Sequence, residues 1–196
     1  RNTREITAFA NCFRYGTATP GKDETTAPQG TLFPDPRISS GPHPAIKRYE
    51  RFQQLIESVA QDIRKLVDSA SFPLSEITVI YTMKKPDPHM SESVPALVAD
   101  ALDRQGIIHK WLSEDYRAKR SHDITANSVT ISTIHSVKGL DFACVFLIGL
   151  DALEPDERWT EKQINCLAYV GITRARYQLT IPYQKETAFI SRLKSS

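Results

Sequence analysis

The sequence predicts an α/β fold: a mostly parallel sheet with helices on both faces. Three observations carry that prediction. The runs Ile77–Tyr81, Val129–Thr133 and Cys144–Leu150 are nearly continuous in apolar and β-branched residues, as strands buried on both faces require. Stretches with helical apolar spacing alternate with them. The chain has 196 residues, 40% of them hydrophobic and 24% charged, which suits one ordinary globular core. A single domain over 1–196 is therefore expected, interrupted by one loop excursion.

The elements follow in order. Ile6 to Phe13 continues a short helix that Asn2 or Thr3 can cap. Prolines at 20, 28, 34, 36, 42 and 44 and glycines at 16, 21, 30 and 41 make 16–44 a loop. From Ile46 the apolar positions Tyr49, Phe52, Leu55, Ile56, Val59, Ile63, Leu66 and Val67 predict one long amphipathic helix. Ile77–Tyr81 is a strand. Ser91 to Gln105 reads as a helix capped by Ser91 or Ser93 and stopped by Gly106. Strands at Val129–Thr133 and Cys144–Leu150 follow, then a helix over Glu161–Ala168 and a last strand over Gln178–Tyr183. Parallel strands place their carboxyl ends along one edge, where α/β sheets usually bind ligands.

Bulk properties exclude several functions. A net charge of +2 confines any nucleic-acid surface to a local patch. Cys12, Cys144 and Cys166 are too far apart for a CxxC site, which argues against a disulfide framework and for a reducing compartment. The histidines at 43, 89, 109, 122 and 135 have no metal-ligand rhythm. The apolar run near Ala143 to Leu150 is too short to span a bilayer. The opening Arg-Asn-Thr-Arg-Glu is not a signal peptide and, lacking Met, reads as a fragment or processed product. A cytoplasmic location without a membrane partner is expected.

The chemistry concentrates in the string from Thr130 to Phe142, Thr-Ile-Ser-Thr-Ile-His-Ser-Val-Lys-Gly-Leu-Asp-Phe. A buried strand ends there in a polar turn. Hydroxyls, backbone amides and an imidazole at a strand's carboxyl end suit a phosphodiester backbone. Gly139 permits close approach or a positive φ, and Asp141 can accept hydrogen bonds from sugar hydroxyls. A second string, Leu167 to Arg176, reads Leu-Ala-Tyr-Val-Gly-Ile-Thr-Arg-Ala-Arg. A third is the opening, Arg1-Asn2-Thr3-Arg4-Glu5-Ile6.

These strings resemble, in the family's order, the fifth, sixth and fourth motifs of UvrD/Rep-type superfamily 1 helicases. The fifth motif is usually written Thr-x-His-x-x-Lys-Gly-Leu-Glu-Phe, and this chain has Asp141 where Glu is commoner. The resemblance implies a RecA-like three-layer sandwich, the P-loop NTPase fold without its own phosphate loop. It implies that Arg174 is the arginine finger that stabilises charge on a transferring γ-phosphoryl group. Arg1 becomes a second γ-phosphate ligand. Lys138, Gly139 and Asp141 complete this chain's share of an ATP site, while Thr133, His135 and Ser136 grip single-stranded DNA. Arg176 is expected to be surface or structural. Gln163-Ile164-Asn165-Cys166 replace the acidic and arginine residues that often precede the sixth motif. Only Trp111 to Ser128 is available where many members insert a subdomain, so the chain resembles the compact members.

Gly16-Thr17-Ala18-Thr19-Pro20-Gly21-Lys22-Asp23 almost spells a phosphate loop, but Asp23 stands where a Mg²⁺-binding hydroxyl is needed. Pro20 also removes an amide, and no strand leads in. An upstream RecA-like domain of the same polypeptide is then expected to supply the phosphate loop and most ligands of Mg²⁺, and this chain alone should not hydrolyse ATP. Alternatives are a non-catalytic DNA-binding or interaction module derived from a helicase, the motor of a helicase–nuclease subunit, and a motor that travels on RNA.

Overall fold

The computed structural model describes residues 2–15, 39–83, 85, 91–112, 127–155 and 159–195. Six strands form one sheet in the order β1-β6-β5-β2-β4-β3. They are β1 (Ala45–Arg48), β2 (Ile77–Tyr81), β3 (His109–Leu112), β4 (Val129–Thr133), β5 (Phe142–Ile148) and β6 (Ala175–Tyr183). Every pairing is parallel. The helices are α1 (Arg4–Tyr15), α2 (Phe52–Asp68), α3 (Val94–Arg104), α4 (Glu161–Ile172) and α5 (Ala188–Lys194), with 3-10 turns at Leu74–Glu76 and Leu150–Ala152.

The pleat divides the strands between two cores. On one face Ile80, Val145, Leu147, Leu179 and Ile181 meet Ile6 and Phe9 of α1, Ile164, Ala168 and Ile172 of α4, and Phe189, Ile190 and Leu193 of α5. On the other, Val79, Tyr81, Ile131, Phe146 and Ile148 meet Phe52, Leu55, Val59 and Ile63 of α2 and Val98 and Leu102 of α3. Alternate residues of one strand thus feed opposite layers, and the helices supply apolar stripes at 3.6-residue spacing. Each large aliphatic side chain so buried contributes roughly 1.5–3 kcal/mol. The result is the three-layer α/β sandwich with a parallel sheet that the sequence predicts.

Several elements differ from the sequence reading. The single helix expected from Ile46 is two elements, β1 and then α2, with Arg51 extended between them at φ −126°, ψ 142°. Ile46, Tyr49 and Phe52 fall at helical spacing by coincidence. Ile46 pairs with Ile181, because β6 offers an open edge whose backbone groups need a partner. β3 and α5 were not anticipated. β3 is a short edge strand beside β4 with an exposed Trp111, so it lacks the apolar run of an inner strand. α4 continues to Ile172 and β6 begins at Ala175, leaving only Thr173 and Arg174 between them. Helix α3 is capped by the Ser93 hydroxyl, which accepts from the Ala96 amide, and Gly106 behind it adopts φ +64°. Among the described residues no helix is long and apolar enough to cross a membrane.

Candidate functional site

Parallel register fixes the height of each motif on the sheet. Tyr81 pairs with both Thr133 and Ile148, so Thr133 stands level with the carboxyl end of β5. Phe142 opens β5 and pairs with Ala175, which opens β6. At about 3.3 Å per residue, the two levels differ by roughly 20 Å. Residues 134–141 therefore run from the carboxyl edge of the sheet to its amino edge. The expectation of one ligand edge at the strand carboxyl ends needs correction: it describes Thr133 and His135, whereas Asp141 and Arg174 lie at the opposite edge.

At the carboxyl edge the polar turn is held by its own hydroxyls. The Ser136 amide donates to Thr133 Oγ1 at 3.2 Å, and that hydroxyl donates to Ser136 Oγ at 3.1 Å. Ser136 is 4% exposed, so its side chain braces the turn rather than facing outward. His135 is exposed, and its ring lies 6.4 Å from that of Trp159. Trp159 is 38% exposed and directly precedes Thr160, the N-cap of α4. Lys138 is exposed as well. Gly139 adopts φ +88°, and a Cβ there would meet nothing within 4 Å. Backbone conformation, not crowding, is what calls for glycine at this position.

At the amino edge Arg174 is pinned from several sides. Its Nε donates to Val170 O at 3.0 Å, Nη1 to Leu140 O at 3.2 Å and Nη2 to Thr173 Oγ1 at 3.2 Å. Nη1 also lies 3.1 Å from Asp141 Oδ1, the arginine side chain being 19% exposed and the aspartate 50%. The Phe142 amide donates to Arg174 O at 2.9 Å, so the loops entering β5 and β6 are joined through both backbone and side chain. Asp141, expected at a sugar hydroxyl, here faces the guanidinium.

The amino-terminal segment reaches the same turn. The Asn2 side-chain amide donates to Thr173 O at 2.8 Å and also to Ala175 O. The Thr3 amide donates to Arg176 O at 2.8 Å. Asn2 thus spans the carbonyls on either side of Arg174. The sequence suggested only a helix cap for it, because its partners lie more than a hundred and fifty positions away in the chain. Arg1 lies outside the described residues, as do 16–38 with the near-phosphate-loop string.

Arg176 pairs with Glu76, whose carboxylate also accepts from the Ala143 amide at 3.0 Å. Its role is structural: it ties together the amino ends of β2, β5 and β6. Burial, reinforced by the negative charge of Glu76, pushes the nearby Cys144 thiol up to about 12. Among the described residues no group of three or more His, Cys, Asp or Glu side chains is placed to hold a metal ion.

Comparison with known proteins bears on the sequence and the fold. Residues 105–186 match the family model of the UvrD-like helicase C-terminal domain. The chain is 37% identical over 67 residues to DNA helicase II of Escherichia coli, a stretch covering 31% of this chain and 9% of that protein. It is 46% identical over 61 residues to DNA helicase II of Haemophilus influenzae, covering 28% and 8%. With the ATP-dependent DNA helicase PcrA of Staphylococcus aureus it shares 31% identity over 103 residues, covering 48% and 14%. The chain thus matches only a small part of each relative's length. The solved C-terminal domain of a possible DNA helicase from Lactobacillus plantarum superposes with a TM-score of 0.63 at 16% identity, covering 98% of this chain and 92% of that one. At that identity the likeness speaks for the fold. Residues 105–186 are thus similar in sequence to the UvrD-like helicase C-terminal domain, and the fold is similar to that of a solved helicase C-terminal domain.

Proposed function

We propose that this chain is the carboxyl-terminal RecA-like motor domain of an ATP-dependent DNA helicase and lends an arginine finger, Arg174, to an ATP site shared with an upstream RecA-like domain. One observation carries the reading. Asn2, the neighbour of Arg1 in sequence, bonds to the carbonyls flanking Arg174, so the first and last of the three motifs converge on one turn. The Arg174 guanidinium is held there by carbonyls and a hydroxyl and keeps part of its surface exposed. A planar cation fixed in advance suits charge that develops on a transferring phosphoryl group.

Arg1 acts as the second γ-phosphate ligand, and Lys138, Gly139 and Asp141 form this domain's side of the cleft. The upstream domain supplies the phosphate loop and most ligands of Mg²⁺ in this reading. His135 and Thr133, at the carboxyl edge, contact single-stranded DNA, while Ser136 contributes by bracing their turn. Such contacts read backbone, so affinity should fall steeply with salt and vary little with sequence.

The test is ATP hydrolysis by the complete polypeptide that carries this chain, with and without single-stranded DNA. DNA should stimulate hydrolysis. Arg174→Ala should lower kcat by about a thousandfold or more with little change in nucleotide affinity, because the contact matters mainly in the transition state. Equal losses in binding and turnover would remove the finger assignment. His135→Ala should weaken strand binding and leave DNA-independent hydrolysis near wild type. A folded protein that never hydrolyses ATP would instead favour a non-catalytic DNA-binding module.

A further inference from the structure

Asp141 occupies the position at which the resemblance expects an acceptor for a sugar hydroxyl. Its carboxylate is instead directed at Arg174, with Oδ1 at 3.1 Å from Nη1. Leu140, the residue before it, offers its carbonyl to the same Nη1. The backbone arrives there from Gly139 at φ +88° and leaves as the Phe142 amide, which donates to Arg174 O. Consecutive residues 140–142 therefore all bind Arg174 by carbonyl, carboxylate and amide. Val170 O and Thr173 Oγ1 hold the guanidinium from the other side. An aspartate is short enough to sit beside the cation when its own backbone is already tied to that arginine.

Resting on the finger assignment above, we infer that Asp141 is a positioning residue, holding the Arg174 guanidinium in its working orientation rather than reading the sugar of the nucleotide. Through the 134–141 connection this carboxylate shares a continuous segment with the strand-facing turn at His135.

The two roles separate kinetically. A group that orients the finger acts on turnover alone, whereas a sugar ligand acts on binding and discriminates ATP from dATP. In the complete polypeptide, with saturating single-stranded DNA, Asp141→Asn and Asp141→Ala should lower kcat roughly 10- to 100-fold at unchanged KM. The loss should be equal for ATP and dATP, and Asp141→Glu should restore part of it. Adding either Asp141 substitution to Arg174→Ala should cause no further loss, because the two residues act as one unit. Asp141 is half exposed, so melting temperatures should stay close to wild type.

A rise in KM for ATP with dATP unaffected would make Asp141 a sugar ligand and overturn the inference. A rise in kcat would make it a brake, and unchanged kinetics an idle surface pair, with the same consequence. These failures leave the finger intact as long as Arg174→Ala remains inactive. If Arg174→Ala turns over normally, the finger reading itself falls.

Discussion

Cys144 and Cys166 carry the same thiol into opposite environments. Cys144 is fully buried on β5, and burial together with Glu76 raises its pKa to about 12, whereas Cys166 on α4 is exposed. The neutral thiol is the form the fold accepts. Below pH 9 the unfolded thiol is neutral too, so the fold loses nothing; between pH 9 and 12 the unfolded state ionises while the folded state does not, and stability falls. Alkylation of the native protein at pH 8, read peptide by peptide, should modify Cys166 and spare Cys144 until denaturant is added. Fast labelling of Cys144 in the native protein would contradict its burial. Sequence could name a residue wherever its type carries one property, as with the glycine at 139, which takes φ +88°. The site was not legible where function depends on a distant partner. Ser136 looks like an outward contact in sequence, yet its hydroxyl serves Thr133. Nothing near Asn2 in the chain announces the carbonyls of Thr173 and Ala175.

Helix α4 shows how an element delivers a residue. Its amino end is closed by a capping box: the Thr160 amide donates to Gln163 Oε1 at 2.8 Å, and the Gln163 amide donates to Thr160 Oγ1 at 3.3 Å. Its other end leads through Thr173 and Arg174 into β6. Gly171 sits in the last turn, where an added Cβ would come within 3.0 Å of Leu147 and 3.2 Å of Ile134. Thr160→Ala should cost about 1 kcal/mol in chemical denaturation. Gly171→Ala should cost more, about 1–3 kcal/mol, because it overpacks the interface that seats the helix above β5. Equal small losses from both would mean that α4 is loosely seated. The same logic separates the elements that sequence revealed from those it hid. Inner strands β2 and β4 have their residues buried on both faces, so apolar runs marked them. Edge strands β1 and β3 are held chiefly by backbone pairing to β6 and β4, and backbone groups leave no trace in residue type.

At the scale of the molecule, one sheet separates the two proposed contact regions and one connection rejoins them. His135 stands at the carboxyl edge and Asp141 at the amino edge, and the chain between them packs Ile134 and Val137 into the core shared with α1 and α4. Tying the turn proposed to contact DNA to the turn proposed to face phosphate through packed residues gives a rigid path between them, provided that both ends are anchored. The carboxyl-edge anchor is the Thr133–Ser136 turn. At the amino edge the anchor is Arg174, and Asn2 secures its turn from the far end of the sequence. Asn2→Ala removes both bonds and leaves part-buried carbonyls to find water. Each bond contributes about 0.5–1.5 kcal/mol, so denaturation should show a loss of about 1–3 kcal/mol. Because the loss falls on the turn that carries Arg174, the proposed function expects turnover in the complete polypeptide to drop while DNA affinity, which it assigns to the opposite edge, stays near wild type. A variant that loses stability with unchanged turnover would show Asn2 to be a clasp for the fold alone. A variant that loses DNA affinity as strongly as turnover would show that the two edges are coupled even at rest.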